Sequence, residues 1–210
     1  MTGSGLFIGV ALVVGAYLAA SSPTGQLVAR SRGVDLRRVG SGNVGATNVL
    51  RALGPVAAGV VMLLDMGKGA LPVVLARFLG QPVWLEVLAA IAAVAGHIWP
   101  LFQGFRGGKG VATAYGALLV LMPPAAVVAL AIGLPIMAVT RYVSLGTLIG
   151  TAAGFVTLVV IVVLLGPWER LIYGSLALVV IVWRHRDNIR RLRDGTELRL
   201  SWPQVVSSGR

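Results

Sequence analysis

From Tyr142 to Trp168 the chain reads YVSLGTLIGTAAGFVTLVVIVVLLGPW, without a single charged side chain. A run of more than about 18 apolar residues is long enough to cross a bilayer as a helix. Outward from it, further apolar segments occupy Leu6–Ala20, Pro55–Leu79, Val83–Trp99, Val111–Met122, Pro124–Val139 and Trp168–Trp183. Apolar residues make up 57% of the 210 and charged residues 12%, about half the soluble norm of roughly 25%. The predicted fold class is all-α: a polytopic membrane helix bundle of about seven transmembrane helices. Its length allows one bundle, a single domain over residues 1–210.

The ends of these segments set a topology. Gly80–Gln81–Pro82, Pro123–Pro124 and Gly166–Pro167 read as tight turns between antiparallel helices. Met1–Gly5 carries no Lys or Arg, and a cleaved leader needs a basic start, so Leu6–Ala20 is expected to be a retained helix. With the N-terminus outside, the inner loops receive Arg30, Arg32, Arg37, Arg38, Arg51, Arg106, Lys109 and Arg141. They also receive the tail arginines from Arg184 to Arg210, while the outer side receives Arg77 and Arg170. That asymmetry follows the positive-inside rule and places the C-terminus in the cytoplasm. The net charge of +11 is therefore assigned to the membrane, not to nucleic acid. Trp84 and Trp99, and again Trp168 and Trp183, bracket their helices as interfacial anchors. The absence of cysteine excludes disulfide and thiolate-metal frameworks.

Two segments depart from the pattern. Val111–Met122 is shorter than the roughly 20 residues of a span, and Pro55–Leu79 carries Asp65, Gly67, Lys68 and Gly69 at mid-length. Charged or irregular chain at membrane depth is tolerated where it lines a cavity. A water-filled pocket opening inward is expected. Asp65 and Lys68 stand three residues apart, and an internal ion pair is their expected role.

Three constellations carry chemistry. The first is GSGNVGATNVLR, Gly40–Arg51. Its glycines let the backbone turn tightly and aim N–H groups at an anion; Ser41, Asn43, Thr47 and Asn48 add neutral donors, and Arg51 a bidentate phosphate clamp. A flexible loop capping the next helix would use the same glycines and asparagines, but the donor density closing on an arginine favours phosphate.

The second is GHIWPLFQGFRGGKGVAT, Gly96–Thr113. Gly-Gly-Lys-Gly leading into a helix suits a phosphate-cradling turn with Lys109 beside the helix N-terminus. The Lys-Ser/Thr pair and the earlier glycine of a nucleotide-hydrolysing loop are missing. Lys109 and Arg106 could equally snorkel at the interface, and His97 reads as a packing histidine. The third is HRDNIRRLRDGTE, His185–Glu197. Arg190, Arg191 and Arg193 are compatible with a basic helix lying on anionic lipid, whereas His185 and Asn188 share one face.

In this order and spacing, the three constellations resemble the motifs of the bacterial acyl-phosphate:glycerol-3-phosphate acyltransferases, the PlsY family. Asp65–Gly69 (DMGKG) and Ser144–Thr147 (SLGT) are similar to that family as well, which more often has serine where Thr147 stands. The resemblance covers essentially the whole chain. It implies transfer of a fatty acyl group from acyl phosphate to the 1-hydroxyl of sn-glycerol 3-phosphate, giving 1-acyl-sn-glycerol 3-phosphate and phosphate, in the bacterial inner membrane and facing the cytoplasm.

By the same resemblance, His185, Lys109, Arg51 and Asn188 are the catalytic set. Ser41, Gly42, Asn43, Gly45, Thr47, Asn48, Gly107, Gly108, Gly110, Ser144 and Glu197 bind substrate. Ser41, Arg51, Lys109, Ser144, His185 and Asn188 would contact glycerol 3-phosphate; the Gly107–Gly110 turn and the Asn43–Thr47 loop would hold acyl phosphate. No cofactor or metal is implied. A soluble acyl-phosphate-forming enzyme of the PlsX type is the implied transient partner. His185 is open to two roles, as a base oriented by Glu197 or as a neutral group positioning substrate.

Two other classes fit parts of the sequence. A transporter for a phosphorylated metabolite would share the basic pocket, but no internal repeat is visible and the polar motifs face one side. A lipid-binding scaffold would not need His185, Asn188 and Glu197 together.

Overall fold

A computed structural model describes residues 3–200, so Arg210 of the basic tail and the remainder of the tail beyond residue 200 lie outside it. The order is α1 (Gly3–Ala20), α2 (Thr24–Arg30), a single 3-10 turn at Leu36–Arg38, α3 (Ala46–Leu53) and α4 (Pro55–Phe78). Then come α5 (Val83–Ile98), a turn at Leu101–Gln103, α6 (Val111–Leu121), α7 (Pro123–Thr140), α8 (Val143–Leu165), α9 (Glu169–Arg184) and α10 (Arg186–Arg193). No strand occurs among the described residues. Five helical stretches are long and apolar enough to cross a membrane: Gly5–Arg30, Pro55–Phe78, Val83–Gln103, Pro123–Thr140 and Val143–Leu165. Of the anticipated segments, α6 with 11 residues and α9 with 16 are shorter.

The bundle's outer surface is apolar. Phe7, Phe78, Val139 and Leu165 are 75%, 84%, 85% and 81% exposed, which suits hydrocarbon and not water. Inside, small residues replace large ones, because helices in lipid associate through close packing and not through a hydrophobic drive. A Cβ on Gly69 of α4 would overlap the Thr113 carbonyl of α6, and one on Gly116 of α6 would overlap the Met66 carbonyl of α4. Gly133 of α7 and Gly146, Gly150 and Gly154 of α8 make the corresponding seam between those two helices.

This packing decides between charged and irregular chain at Asp65–Gly69. α4 runs unbroken through Asp65–Gly69, so the glycines there do not mark irregular backbone. Gly69 serves close approach to α6, while the backbone keeps its own helical bonds.

α6 is the element that makes the cavity. It shares a tight turn at Met122 with α7, and Leu121, Met122 and Ala125 are buried there. From that common turn α7 runs back over 18 residues and α6 over only 11. At 1.5 Å per residue, α6 falls short of α7 by about 10 Å. Its N-terminus therefore opens at depth, below the bundle end where the connecting loops gather.

Those loops are held by local bonds. Asn48 sits 1% exposed at the start of α3. Its Oδ1 accepts from the Ser41 amide, and its Nδ2 donates to the Leu36 and Val39 carbonyls, all at 3.0 Å. At the chain's other end the Leu200 amide donates to the Arg141 carbonyl at 2.7 Å. This ties the segment after α10 down between α7 and α8. Trp99 and Trp183, at the C-terminal ends of α5 and α9, pack with ring centroids 6.1 Å apart.

Candidate active site

A cavity of about 470 Å³ opens at the loop end of the bundle. Every catalytic or substrate-binding residue expected from the sequence lines it except Gly108. The three constellations, far apart in the chain, thus converge on one space.

The side chains form a relay. Lys109 Nζ donates to Asn188 Oδ1 at 2.5 Å, and Asn188 Nδ2 donates to Glu197 Oε1 at 2.5 Å. The same Glu197 oxygen accepts from Ser144 Oγ at 2.7 Å, and its second oxygen from Arg191 Nε at 2.8 Å. Burial pushes the Glu197 carboxyl up, but these bonds from Asn188, Ser144 and Arg191 outweigh it and the net shift is down. Glu197 is therefore an ionised organiser with both oxygens engaged. Its sequence-based role as a substrate contact narrows to holding Ser144, Asn188 and Arg191 in place.

Burial above all, then the cations Arg191, Arg184 and Arg51, lower Lys109 to about 8; Glu197 opposes this. Burial likewise lowers Arg51. Arg51 Nη2 donates to the Leu198 carbonyl at 3.2 Å, and its Nε is buried without a partner. Among the described residues no carboxylate stands within ion-pair distance of Arg51, Lys109 or Arg184.

His185 is 3% exposed, and its Nδ1 lies 2.8 Å from the Ile181 carbonyl. A carbonyl only accepts, so Nδ1 carries the hydrogen and Nε2 keeps its lone pair. Burial first, then Lys109, lower its pKa to about 4, leaving a neutral ring and a weak base. Of the two roles left open for His185, the one oriented by Glu197 has no bond behind it: the Ile181 carbonyl fixes the ring, while Glu197 bonds Ser144, Asn188 and Arg191.

Backbone roles also change. The Gly107 and Gly108 amides donate to the Ile98 and His97 carbonyls, and the Gly42 amide to the Val39 carbonyl. With the Ser41 amide on Asn48, these N–H groups shape the two turns and are not aimed at an anion. The expected glycine N–H nest thus loses the Gly42, Gly107 and Gly108 amides, and the cavity-lining side chains of Ser41, Asn43, Thr47 and Arg51 and the recessed first turn of α6 stand beside what remains of it. That turn has no preceding helical carbonyls to satisfy its N–H groups. Asn48, read as a substrate donor, has both its donors committed to the loop.

Two arginines were missed. Arg184 donates to the Gly107 and Gly108 carbonyls at 3.2 and 3.0 Å, and so anchors the glycine turn. Arg191, read as a lipid-facing residue, lines the cavity and pairs with Glu197 at 2.8 Å. Its position was available from spacing, since 185, 188 and 191 continue one helical stripe.

Deeper, Lys68 and Asp65 pair at 2.9 Å as expected. Lys68 also donates to the Ser22 carbonyl and to Thr24 Oγ1, and Thr24 Oγ1 donates to Asp65. His97 Nδ1 faces Thr113 Oγ1 at 3.0 Å and Asp65 at 3.7 Å. A Cβ on Gly108 would overlap His97 Nε2, so this ring supports the glycine turn from behind.

Comparison with known proteins supplies the family. A glycerol-3-phosphate acyltransferase family model matches residues 10–195. The chain belongs to the glycerol-3-phosphate acyltransferase family. A Thermus thermophilus glycerol-3-phosphate acyltransferase is 50% identical over 187 residues, covering 88% of this chain and 92% of that one. One from Rubrobacter xylanophilus is 44% identical over 189 residues, covering 90% and 93%. The crystal structure of PlsY, an integral membrane glycerol 3-phosphate acyltransferase, in its glycerol 3-phosphate form superposes with a TM-score of 0.85 at 41% identity. It covers 95% of this chain and 96% of that one. The lysophosphatidic acid form gives 0.82 at 40% identity, covering 94% and 95%. This acyltransferase is thus an enzyme of phospholipid synthesis with the architecture of an integral membrane protein.

Proposed function

We propose that this single-domain acyltransferase moves a fatty acyl group from acyl phosphate to the 1-hydroxyl of sn-glycerol 3-phosphate, at the cytoplasmic face of the bacterial inner membrane. The products are 1-acyl-sn-glycerol 3-phosphate and phosphate. The observation that carries this reading is the union, in one cavity, of unpaired cations with an apolar extension. Arg51, Lys109 and Ser144 line it together with Met62 and Met66 of α4, Tyr115 of α6, and Leu130 and Leu134 of α7. A donor that is phosphate at one end and hydrocarbon at the other needs both.

In this reading Arg51 and Lys109 take the phosphate of glycerol 3-phosphate, and Asn188 holds Lys109 on station. His185 Nε2 accepts a hydrogen bond from the glycerol 1-hydroxyl and orients its oxygen toward the acyl carbonyl. The oxygen–carbon bond forms, the bond from carbonyl carbon to phosphate oxygen breaks, and the electron pair leaves with phosphate. A histidine this weakly basic positions the hydroxyl; the proton passes to a phosphate oxygen of substrate. Lys109 and the first turn of α6 stabilise the charge that gathers on the carbonyl and leaving oxygens. A soluble enzyme that forms acyl phosphate would deliver the donor at the membrane surface.

The choice of acyl phosphate over a thioester rests on base strength. Neither histidine has an aspartate five positions on: Phe102 follows His97 there, and Arg190 follows His185. In space His97 does meet Asp65, but through a nitrogen shared with Thr113 and with its other nitrogen against Gly108. A mixed anhydride is already activated and does not need a strong base. Purified protein given glycerol 3-phosphate with palmitoyl phosphate, palmitoyl-coenzyme A or an acyl carrier protein thioester is expected to turn over the first alone. Comparable turnover with either thioester overturns the donor assignment.

A further inference from the structure

We infer that Tyr115 is the residue that sets the upper limit of acyl-chain length, as the end wall of the track that receives the donor's hydrocarbon. The inference rests on the acyl-phosphate reading above.

Tyr115 stands on α6, one turn below the Gly110 N-terminus, and is buried. It lines the main cavity and also a second, apolar pocket of about 30 Å³ on its far side. That second pocket lies between α6, α8 and α9, walled by Leu118, Phe155, Leu158 and Leu178 among others. Ala129 of α7 is the other residue common to both spaces. An alanine has no reach, so the partition between the two is the tyrosine ring.

The ring is held across the path. Its hydroxyl lies 3.3 Å from Thr151 Oγ1 on α8, a bond buried from water. A Cβ on Gly150 would come within 3.2 Å of the same hydroxyl, so the tip is seated at the α7–α8 seam. A buried polar tip with a single partner resists rotation, because leaving it would strand the hydroxyl in an apolar interior. Toward the cavity, Met62 and Met66 of α4 and Leu130 and Leu134 of α7 line the same space as the ring. α6 packs against both α4 and α7 and floors this passage. A fatty chain whose headgroup sits at the glycine turn and the first turn of α6 runs along α6 and meets Tyr115 end-on.

The chemistry of selection is then steric. Up to the ring, each added methylene is buried and favoured by about fourfold in binding, the equivalent of ~0.8 kcal/mol. Beyond it, a longer chain must bend or withdraw. Removing the ring joins the track to the second pocket and shifts that limit to longer chains.

The test is competition. Wild type, Tyr115→Ala and Tyr115→Leu are each given glycerol 3-phosphate with an equimolar mixture of saturated acyl phosphates of graded length. The lysophosphatidic acid products are counted by mass spectrometry. A product ratio does not depend on how much of a variant folds. Tyr115→Ala is expected to move the ratio toward chains at least two carbons longer, by about fourfold or more per methylene accommodated. Tyr115→Leu moves it the same way by less. Adding Ala177→Phe, which fills the second pocket, to Tyr115→Ala returns the ratio toward wild type. Wild-type ratios in both single variants overturn the inference while leaving the donor assignment intact. Absence of product from every acyl phosphate with wild-type protein overturns the donor assignment itself.

Discussion

At the scale of single residues, the site brings together Arg51, Lys109 and Arg184, none with a carboxylate within ion-pair distance among the described residues, and this predicts how each responds to change. Arg51 has a buried, unpartnered Nε and no carboxylate, whereas Arg193 is exposed on α10. Arg51→Ala removes a charge-assisted bond to phosphate worth about 1.5–3 kcal/mol, or tenfold or more in KM for glycerol 3-phosphate. Arg193→Ala is expected to leave KM unchanged; equal effects count against the loop around Arg51 as a phosphate site. Lys109 gives a pH signature. Its ligand-free pKa is lowered to about 8 by burial first, so it is protonated below that value and loses its charge above it. Affinity for a phosphate dianion should fall as pH rises through about 8. Calorimetric binding of glycerol 3-phosphate from about one unit below to one unit above that value measures this. A flat profile would show that Lys109 is not the phosphate's partner. The sequence made the charges visible and not their connections: Asn48, Gly107 and Gly108 look like ligand donors until the loop's own carbonyls are seen to take their hydrogens. No spacing reports which of two acceptors, substrate or backbone, an amide will meet.

At the scale of elements, the long helices were readable because an apolar run states its own length, and α1, α4, α5, α7, α8 and α9 begin and end near the expected residues. The short amphipathic helices α2 and α3 fall in a stretch that reads as one basic loop, since a helix of seven or eight residues leaves only two turns of pattern. The glycines of α4 pose a related problem: residue type signals small size, and only packing distinguishes broken backbone from close approach. That distinction is measurable. Gly69→Ala places a methyl against the Thr113 backbone, which cannot yield as a side chain could. It is expected to destabilise the bundle by about 1–3 kcal/mol, as overpacking does. Gly67→Ala, two residues away, meets nothing within 4 Å and should be neutral or stabilise by up to about 1 kcal/mol through helix propensity. Thermal unfolding in detergent compares the two, and equal losses would mean that α4 and α6 do not approach as described. Because α6 carries Lys109 at its N-terminus, the Gly69 variant should also lose activity before it loses its helices.

At the scale of the whole molecule, one asymmetry organises the rest. The loop end collects the ends of α1, α5, α7 and α9, the starts of α4, α6 and α8, the cavity mouth and nearly all unpaired cations. The opposite end keeps few charges: Arg77 grips Glu86 through two bonds of 2.6 and 3.2 Å, uniting α4 with α5, while Glu169 and Arg170 at the start of α9 form no ion pair among the described residues. A bilayer with anionic lipid and machinery on its inner face draws such a molecule into one orientation. On this ground the loop end is expected to face the cytoplasm and the opposite end to face out. The protein's own composition makes this easy to test, because it contains no cysteine. A single thiol placed at Ser31, exposed in the loop after α2, or at Gln81, in the turn between α4 and α5, is the only one present. In intact cells a membrane-impermeant maleimide is expected to label Gln81→Cys at once and Ser31→Cys only after permeabilisation. Labelling in the reverse order would put the cationic cavity outside the cell. A phosphate site there would face no cytoplasmic substrate, and the acyltransfer reading would lose its supply of both reactants together.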